Sequence, residues 1–355
     1  MIILPLMLGL AALIVLVFHW AFRTLPKERW QFLAVIPALP ASSNQWQGRN
    51  LTFYGFFIAT AYAVALLLML VLAGALSIPI GVMLVICGLI LVIGIVSSRL
   101  IAGWVEKKKN TFTAGGASFV CLVAAPWIVA TCNHITASAP ESHLPVIPIM
   151  AAMAVAYCFG EGLGRLACIS FGCCYGRPLA ECPFLIRNLF SRCAFVFTGQ
   201  TKKIAYERSL DGVAVVPIQA ITAIVNVSTG WLSLWLFLYG YFTSALLITI
   251  IVSQTWRILS EWLRSDFRGN FSVLPWTFSS YQVMAALSLG YVLLLPFLFP
   301  STPSLTVDLE RGLKSVWSAE IVIFIEGIWL FVFFYKGISR VTGSTLAFFV
   351  HRDKI

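Results

Sequence analysis

Arg165 stands near the end of a long apolar run, in the stretch GLGRLACISFGCCYGRP from Gly162 to Pro178. An arginine at membrane depth is costly and usually faces a protein interior or an aqueous cavity. Glu161 lies four residues earlier, so the two share a helix face and can pair. Two readings stand for Arg165: a cation whose stem snorkels its charge to the interface, and an anion site. A guanidinium suits phosphate because it donates two parallel hydrogen bonds. Gly160, Gly162, Gly164, Gly172 and Gly176 surround it, and glycine permits close approach of backbone or ligand and a strained exit from a helix. A second constellation is TWRILSEWLRSDFRGN, Thr255 to Asn270, where Arg257, Glu261 and Arg264 fall at i, i+4 and i+7 on one face. It reads either as a salt-bridged end of a span or as one wall of a polar cavity. Arg99, in SSRLIAG, is a third arginine at the end of an apolar run, and Lys107 to Lys109 read as topogenic charges.

Five of the nine cysteines, Cys168, Cys173, Cys174, Cys182 and Cys193, crowd into one short region. Cys173 and Cys174 are adjacent, so their side chains are expected to point differently, and the spacing matches no common zinc pattern. No metal is expected on that ground. Small-residue packing at a glycine-rich turn, a structural or disulfide role, metal binding and a nucleophilic thiol all remain open. Arg165 and Arg177 would lower a neighbouring thiol pKa. Gln219, in VVPIQAITAI, and Gln282, in SSYQVMAAL, each open a later apolar run, where an amide orients a carbonyl or caps the helix. His19, His134, His143 and His351 offer no obvious general base.

The elements that hold these residues are written in the composition. Of 355 residues 60% are hydrophobic and only 11% charged, against about 25% charged in soluble domains. Apolar runs of this length span a bilayer, where the backbone must satisfy itself within helices. The chain therefore reads as an all-α integral membrane protein, a polytopic bundle of about nine spans: 2–22, 53–75, 78–100, 117–131, 146–169, 214–238, 242–263, 281–299 and 317–335. The net charge of +10 then marks cytoplasmic loops and anionic lipid, and no nucleic-acid partner is expected. The segment 23–52 reads as a connector, with RWQFLAVIPALP at headgroup depth, and 171–213 as a polar insert. Alternating the loops puts nearly every Lys and Arg on one side, Arg311 and Lys314 excepted. That pattern places the N-terminus outside and the insert and C-terminus in the cytoplasm. No cleavable signal peptide is evident, and the first span reads as a retained helix.

The order of these pieces resembles the prolipoprotein diacylglyceryl transferases. The family signature, Gly-Arg-x-Gly/Ala-Asn-Phe-x-Asn-x-Glu-x-x-Gly, is matched at Gly164, Arg165, Ala167 and Gly176. It is replaced at Cys168, Phe171 and Cys173, as in a divergent GCCYG form. LTFYGFFIA resembles the first conserved span through Tyr54 and Gly55. Arg99, Pro217 with Gln219, the set Arg257, Glu261 and Arg264, and Gln282 resemble further segments in the right order. The likeness covers about 50–298. It divides the chain into an extra N-terminal helix and connector (1–52), a transferase-like core (53–299) and an extra C-terminal helix with a basic tail (300–355).

The resemblance implies a cofactor-free transferase of the bacterial inner (cytoplasmic) membrane. Such an enzyme moves a diacylglyceryl group from phosphatidylglycerol, or a related anionic phospholipid, to a thiol such as the cysteine beside a prolipoprotein signal peptide. It implies catalytic roles for Arg165, Arg257 and Glu261, with Glu261 holding Arg257. It implies substrate contacts for Tyr54, Arg99, Gly164, Gly176, Gln219, Arg264 and Gln282. The family's Phe-His-Gly-Gly segment reads FTAGG here, Phe112 to Gly116, without the histidine. The charge pattern turns the signature inward where the family has it outside. Two other readings follow from the departures: a non-catalytic phospholipid-binding or transport paralogue, and a thiol-redox or metal protein built on the cysteines.

Overall fold

A computed structural model describes residues 3–42, 45–105, 114–135, 143–265, 278–300 and 305–355. It is predominantly helical. Among the described residues eight helices are long and apolar enough to cross a membrane: α1 (Ile3–Thr24), α2 (Phe53–Ala75), α3 (Ile80–Val105), α4 (Ala114–Ile135), α5 (Val146–Phe171), α8 (Ile218–Leu238), α9 (Phe242–Trp262) and α10 (Ser280–Leu298). A broken pair, α11 (Leu309–Val316) and α12 (Ala319–Gly337), bent by 71°, brings the number to nine if it counts as one span. The helix ends fall close to those expected from hydropathy. Lys107 to Lys109, and Phe112 and Thr113 of FTAGG, lie outside the described residues.

α5 is the axial helix. It packs against α2, α8 and α9, and residues along nearly its whole length are buried. Its sequence explains the position. A lipid-exposed helix gains nothing from small side chains, but a central one needs them so that neighbours can close in. At Gly162 an added Cβ would lie 2.4 Å from Val227 Cγ2 and 3.0 Å from the Ala223 carbonyl of α8. The glycine is there for α8.

Chain alternation brings the end of α1, the start of α2, the end of α5, the start of α8 and the ends of α9 and α12 to one end of the bundle. The polar insert lies there too. It holds α6 (Phe184–Phe190), a two-stranded sheet of β3 (Phe195–Val196) and β4 (Ala214–Val215), and α7 (Lys203–Arg208). Hydrogen bonds tie these pieces together. Phe53 N–H donates to the Gln31 carbonyl (3.1 Å), Thr198 N–H to Pro26 (3.2 Å) and Arg177 N–H to Leu263 (3.0 Å). Arg311, one of the two cations expected at the opposite end, donates to Ser77 Oγ (2.7 Å) in the turn between α2 and α3.

Two readings of the sequence need correction. The 23–52 segment is not a plain connector, and the C-terminal tail is not a loose basic extension. β1 (Phe32–Ser42) and β2 (Gln45–Thr52) form an antiparallel pair, and β5 (Ile338–Ala347) joins them in the order β1-β2-β5. Pro37 and Pro40 lie within β1. They are tolerated because β1 is an edge, where a missing N–H breaks no inner ladder.

Candidate functional site

Arg165 sits on α5 with Glu161 one turn before it, and the two side chains pair as their spacing requires. The carboxylate does a second job. Arg257, from α9, brings its Nη2 to 3.7 Å from Glu161 Oε1. Arg257 also donates to the Tyr157 hydroxyl (2.7 Å) and to Ser118 Oγ of α4 (3.2 Å). Each of the three charged side chains is only 14% or 15% exposed. Two guanidinium groups from two helices thus share one carboxylate in the bundle, leaving a local excess of positive charge. Arg165 Nε is buried and has no hydrogen-bond partner among the described residues.

Glu261 is placed differently from the expectation. The carboxylate against Arg257 comes from α5, because Glu261 lies one turn further along α9, at the mouth, where it accepts from Ser279 Oγ (3.5 Å). Sequence spacing along α9 offered a partner on the same helix. The tertiary neighbour won.

Arg264 follows α9 and is buried. Its backbone pairs with Gly176, and its carbonyl accepts from Arg177 Nε (3.4 Å). The exit of α9 is thereby laced to the GCCYGR turn. Gly176 is required by that lacing: an added Cβ would lie 2.3 Å from the Val216 carbonyl. Gly164 is different, since a Cβ there would meet only ordinary contacts with α2 at 3.8 and 3.9 Å. Gly162 and Gly176 therefore serve chain packing, while packing does not require a glycine at position 164.

Gln219, in the first turn of α8, donates from Nε2 to the Cys173 carbonyl (2.9 Å), and its buried Oε1 has no partner among the described residues. Gln282 spends its amide on structure. It completes a capping box with Ser279 and donates to the Ile258 carbonyl (3.1 Å). Arg99 is exposed on α3. The sequence-predicted set therefore separates. Arg165, Arg257, Arg264, Gln219, Gly176 and Tyr54 belong to one end of the α5, α8 and α9 core. Gln282 caps a neighbouring helix there, Gly164 faces α2, and Arg99 is peripheral.

Tyr54, at the start of α2, packs edge-on against Phe171 with ring centroids 5.6 Å apart. With Cys173, Lys203, Lys336 and Arg340 it borders a cavity of about 280 Å³. Two of those cations come from the C-terminal extension, which sequence reasoning had set aside as an appendage.

The cysteine turn departs most from expectation. Cys168, Cys173 and Cys174 bring their sulfurs within 4.8 Å of one another. Gly172 and Cys174 both take left-handed backbone, with φ of 73° and 55°. This coiling swings adjacent side chains towards the same place, which an extended or helical backbone would not do. Outside the helix, Cys174 is held well below the usual thiol range by hydrogen bonds from Cys168 and Cys173 and by Arg264 and Arg165. Cys173 is pushed up, first by its hydrogen bond with Cys168.

Sequence reasoning missed Lys202. This lysine of the insert is fully buried and donates to the carbonyls of Leu25 (3.2 Å) and Ser170 (2.6 Å), joining the exits of α1 and α5. Burial lowers it to about 7, partly offset by Glu28. A lysine among polar neighbours in a loop carries no signal of burial in its sequence. No family model matches the chain, and no curated protein matches it.

Proposed function

We propose that the chain is a membrane transferase that moves a diacylglyceryl group from phosphatidylglycerol, or a related anionic phospholipid, to a thiol acceptor. The observation that carries this reading is the pair Arg165 and Arg257. They stand on two helices at the polar end of a membrane bundle, share one carboxylate, and leave a buried guanidinium nitrogen without a partner among the described residues. An anion is what such a place accommodates. A phosphate on a lipid arrives there along the helices without leaving the membrane.

In the reaction the acceptor sulfur forms a bond to the terminal glyceryl carbon. The C–O bond to phosphate breaks, and glycerol phosphate leaves with the electron pair. Negative charge gathers on the leaving phosphate as that bond breaks. Fixed guanidinium donors in a water-poor site stabilise that charge more than water does, and need no reorientation at the moment of reaction. Glu161 keeps both arginines aimed. Gln219 holds the cysteine turn in place. Lys203, Lys336 and Arg340 draw the anionic headgroup into the cavity beside Tyr54.

The test is transfer from labelled phosphatidylglycerol to a lipobox peptide by purified protein, with Arg165→Ala alongside. Arginine-dependent transfer supports the reading. Lipid bound by the unmutated protein without any turnover makes the chain a phospholipid-binding protein instead. Orientation has its own test. In this reading the chain lies in a bacterial inner membrane, and the basic loops favour an insert in the cytoplasm with the N-terminus outside. The exposed Cys193 is then protected from an impermeant maleimide added to intact cells, and labelling in intact cells would reverse the assignment.

A further inference from the structure

Three thiols within one small volume call for an account of their own. The turn between α5 and the insert gives up regular structure to bring them together. Gly172 leaves α5 in the left-handed region, and Cys174 follows in a conformation that residues with a Cβ seldom adopt. Mere packing of small side chains would not need a cysteine at φ 55°. Glycine or alanine fits a small-residue turn as well, and neither asks for convergent sulfurs.

We propose that Cys168, Cys173 and Cys174 form a three-thiolate site for one Zn(II) ion, with its fourth position turned to the cavity that Cys173 and Tyr54 border. Five observations carry the assignment. The sulfurs lie within 4.8 Å of one another, and zinc at about 2.3 Å from each sulfur draws them only slightly closer. The donor set is all sulfur, which suits a soft or borderline ion and not calcium or magnesium. Among the described residues no fourth His, Cys, Asp or Glu joins the group. Closed structural zinc sites have four protein ligands, whereas three with an open position is the pattern of a working site. Arg165 and Arg264 lie within electrostatic reach of Cys174, and their positive charge offsets the third thiolate. The bond from Gln219 to the Cys173 carbonyl fixes the ligand-bearing turn from outside, as outer partners of metal ligands do.

The role of the ion rests on the transferase reading. An acceptor thiol entering from the cavity becomes the fourth ligand and loses its proton to water on coordination. The zinc-held thiolate then attacks the glyceryl carbon while Arg165 and Arg257 receive the departing phosphate. This supplies a deprotonated sulfur without a side-chain base.

Binding is read separately from turnover. Full-length protein in detergent is stripped with chelator and titrated with Zn(II) alone, then with Co(II) as a coloured probe. The expected result is one zinc per chain and sulfur-to-cobalt charge-transfer absorption of thiolate intensity. Zinc affinity falls at least about tenfold in each of Cys168→Ser, Cys173→Ser and Cys174→Ser, and is unchanged in Cys182→Ser. The cobalt spectrum of the unmutated protein needs no variant to fold. Its absence overturns the site, as does zinc retained by the triple variant, or a protein that takes Cu(I) but not Zn(II). Lipid transfer by fully stripped protein sinks the role of the ion and leaves the transferase standing. Zinc binding without any transfer keeps the site and sinks the transferase.

Discussion

Glu161 is the residue on which the cationic cluster turns. Its pairing with Arg165 was legible, because four residues on a helix fix a shared face. Its pairing with Arg257 was not, because nothing in the spacing of α9 says which neighbouring helix supplies the counter-charge. Removing one partner of a buried ion pair leaves the other charge uncompensated and costs about 3–5 kcal/mol. Glu161→Gln strands two guanidinium groups at once. It is expected to lower stability by about 3 kcal/mol or more, read as thermal unfolding in detergent. Glu261→Gln, at the half-exposed mouth, is expected to cost less than about 1 kcal/mol.

Lys202 gives a pH signature with a definite sign. Its folded value of about 7 lies below the ordinary lysine value of about 10.4. Between those limits the unfolded chain binds the proton and the folded chain does not, so stability rises with pH across the window. The contribution is full above the unfolded value and is lost as pH falls towards the folded one. Melting temperature of the unmutated protein is expected to climb between about pH 7 and pH 9.5, relative to Lys202→Met. Parallel profiles would show that Lys202 does not titrate there.

At the scale of elements, hydropathy located the helices well, and α2 begins and ends as expected. Lipid enforces this agreement, because a spanning segment has no choice but helix. Where the lipid ends the constraint ends with it. The strands went unread for that reason: β1 carries two prolines, and β5, although Val341 to Ala347 alternate between open and partly covered positions, puts Thr342 and Ser344 on its covered side, so its hydropathy shows little of that alternation. The cysteine turn escaped too, since adjacency predicts divergence only for ordinary backbone. The glycines now divide by what stands opposite them. Gly176→Ala drives a methyl into the Val216 carbonyl and is expected to destabilise by about 1–3 kcal/mol. Gly164→Ala meets open van der Waals contact inside a helix. It is expected to be neutral or to stabilise by up to about 1 kcal/mol. Equal effects in a thermal shift assay would contradict the packing described at the two positions.

At the scale of the whole molecule, the two extensions are part of the site. Gly55 of α2 lies against Gly337 of α12, with an added Cβ only 2.2 Å from the Gly337 Cα. Thr52 Oγ1 donates to the Gly337 carbonyl (2.9 Å). That contact delivers Lys336 and Arg340 to the cavity. A chain ending after residue 316 keeps Arg165, Arg257 and the cysteine turn but loses two of the cavity's three cations. It is expected to bind anionic-lipid vesicles more weakly by about 1 kcal/mol per lost cation, measured by co-sedimentation. Undiminished binding would place the headgroup elsewhere.

The middle strand of the sheet has a bearing on how the molecule is made. β2 precedes its second partner, β5, by most of the membrane bundle, so it leaves the ribosome well before β5 does. Throughout elongation β2 offers an unpaired edge, the kind of surface that recruits other strands. Pairing of β5 closes that edge and brings in the last cavity wall in the same act. Every chain that stops before residue 338 carries an open β2 edge, a mark by which quality control can tell it from one in which β5 has paired.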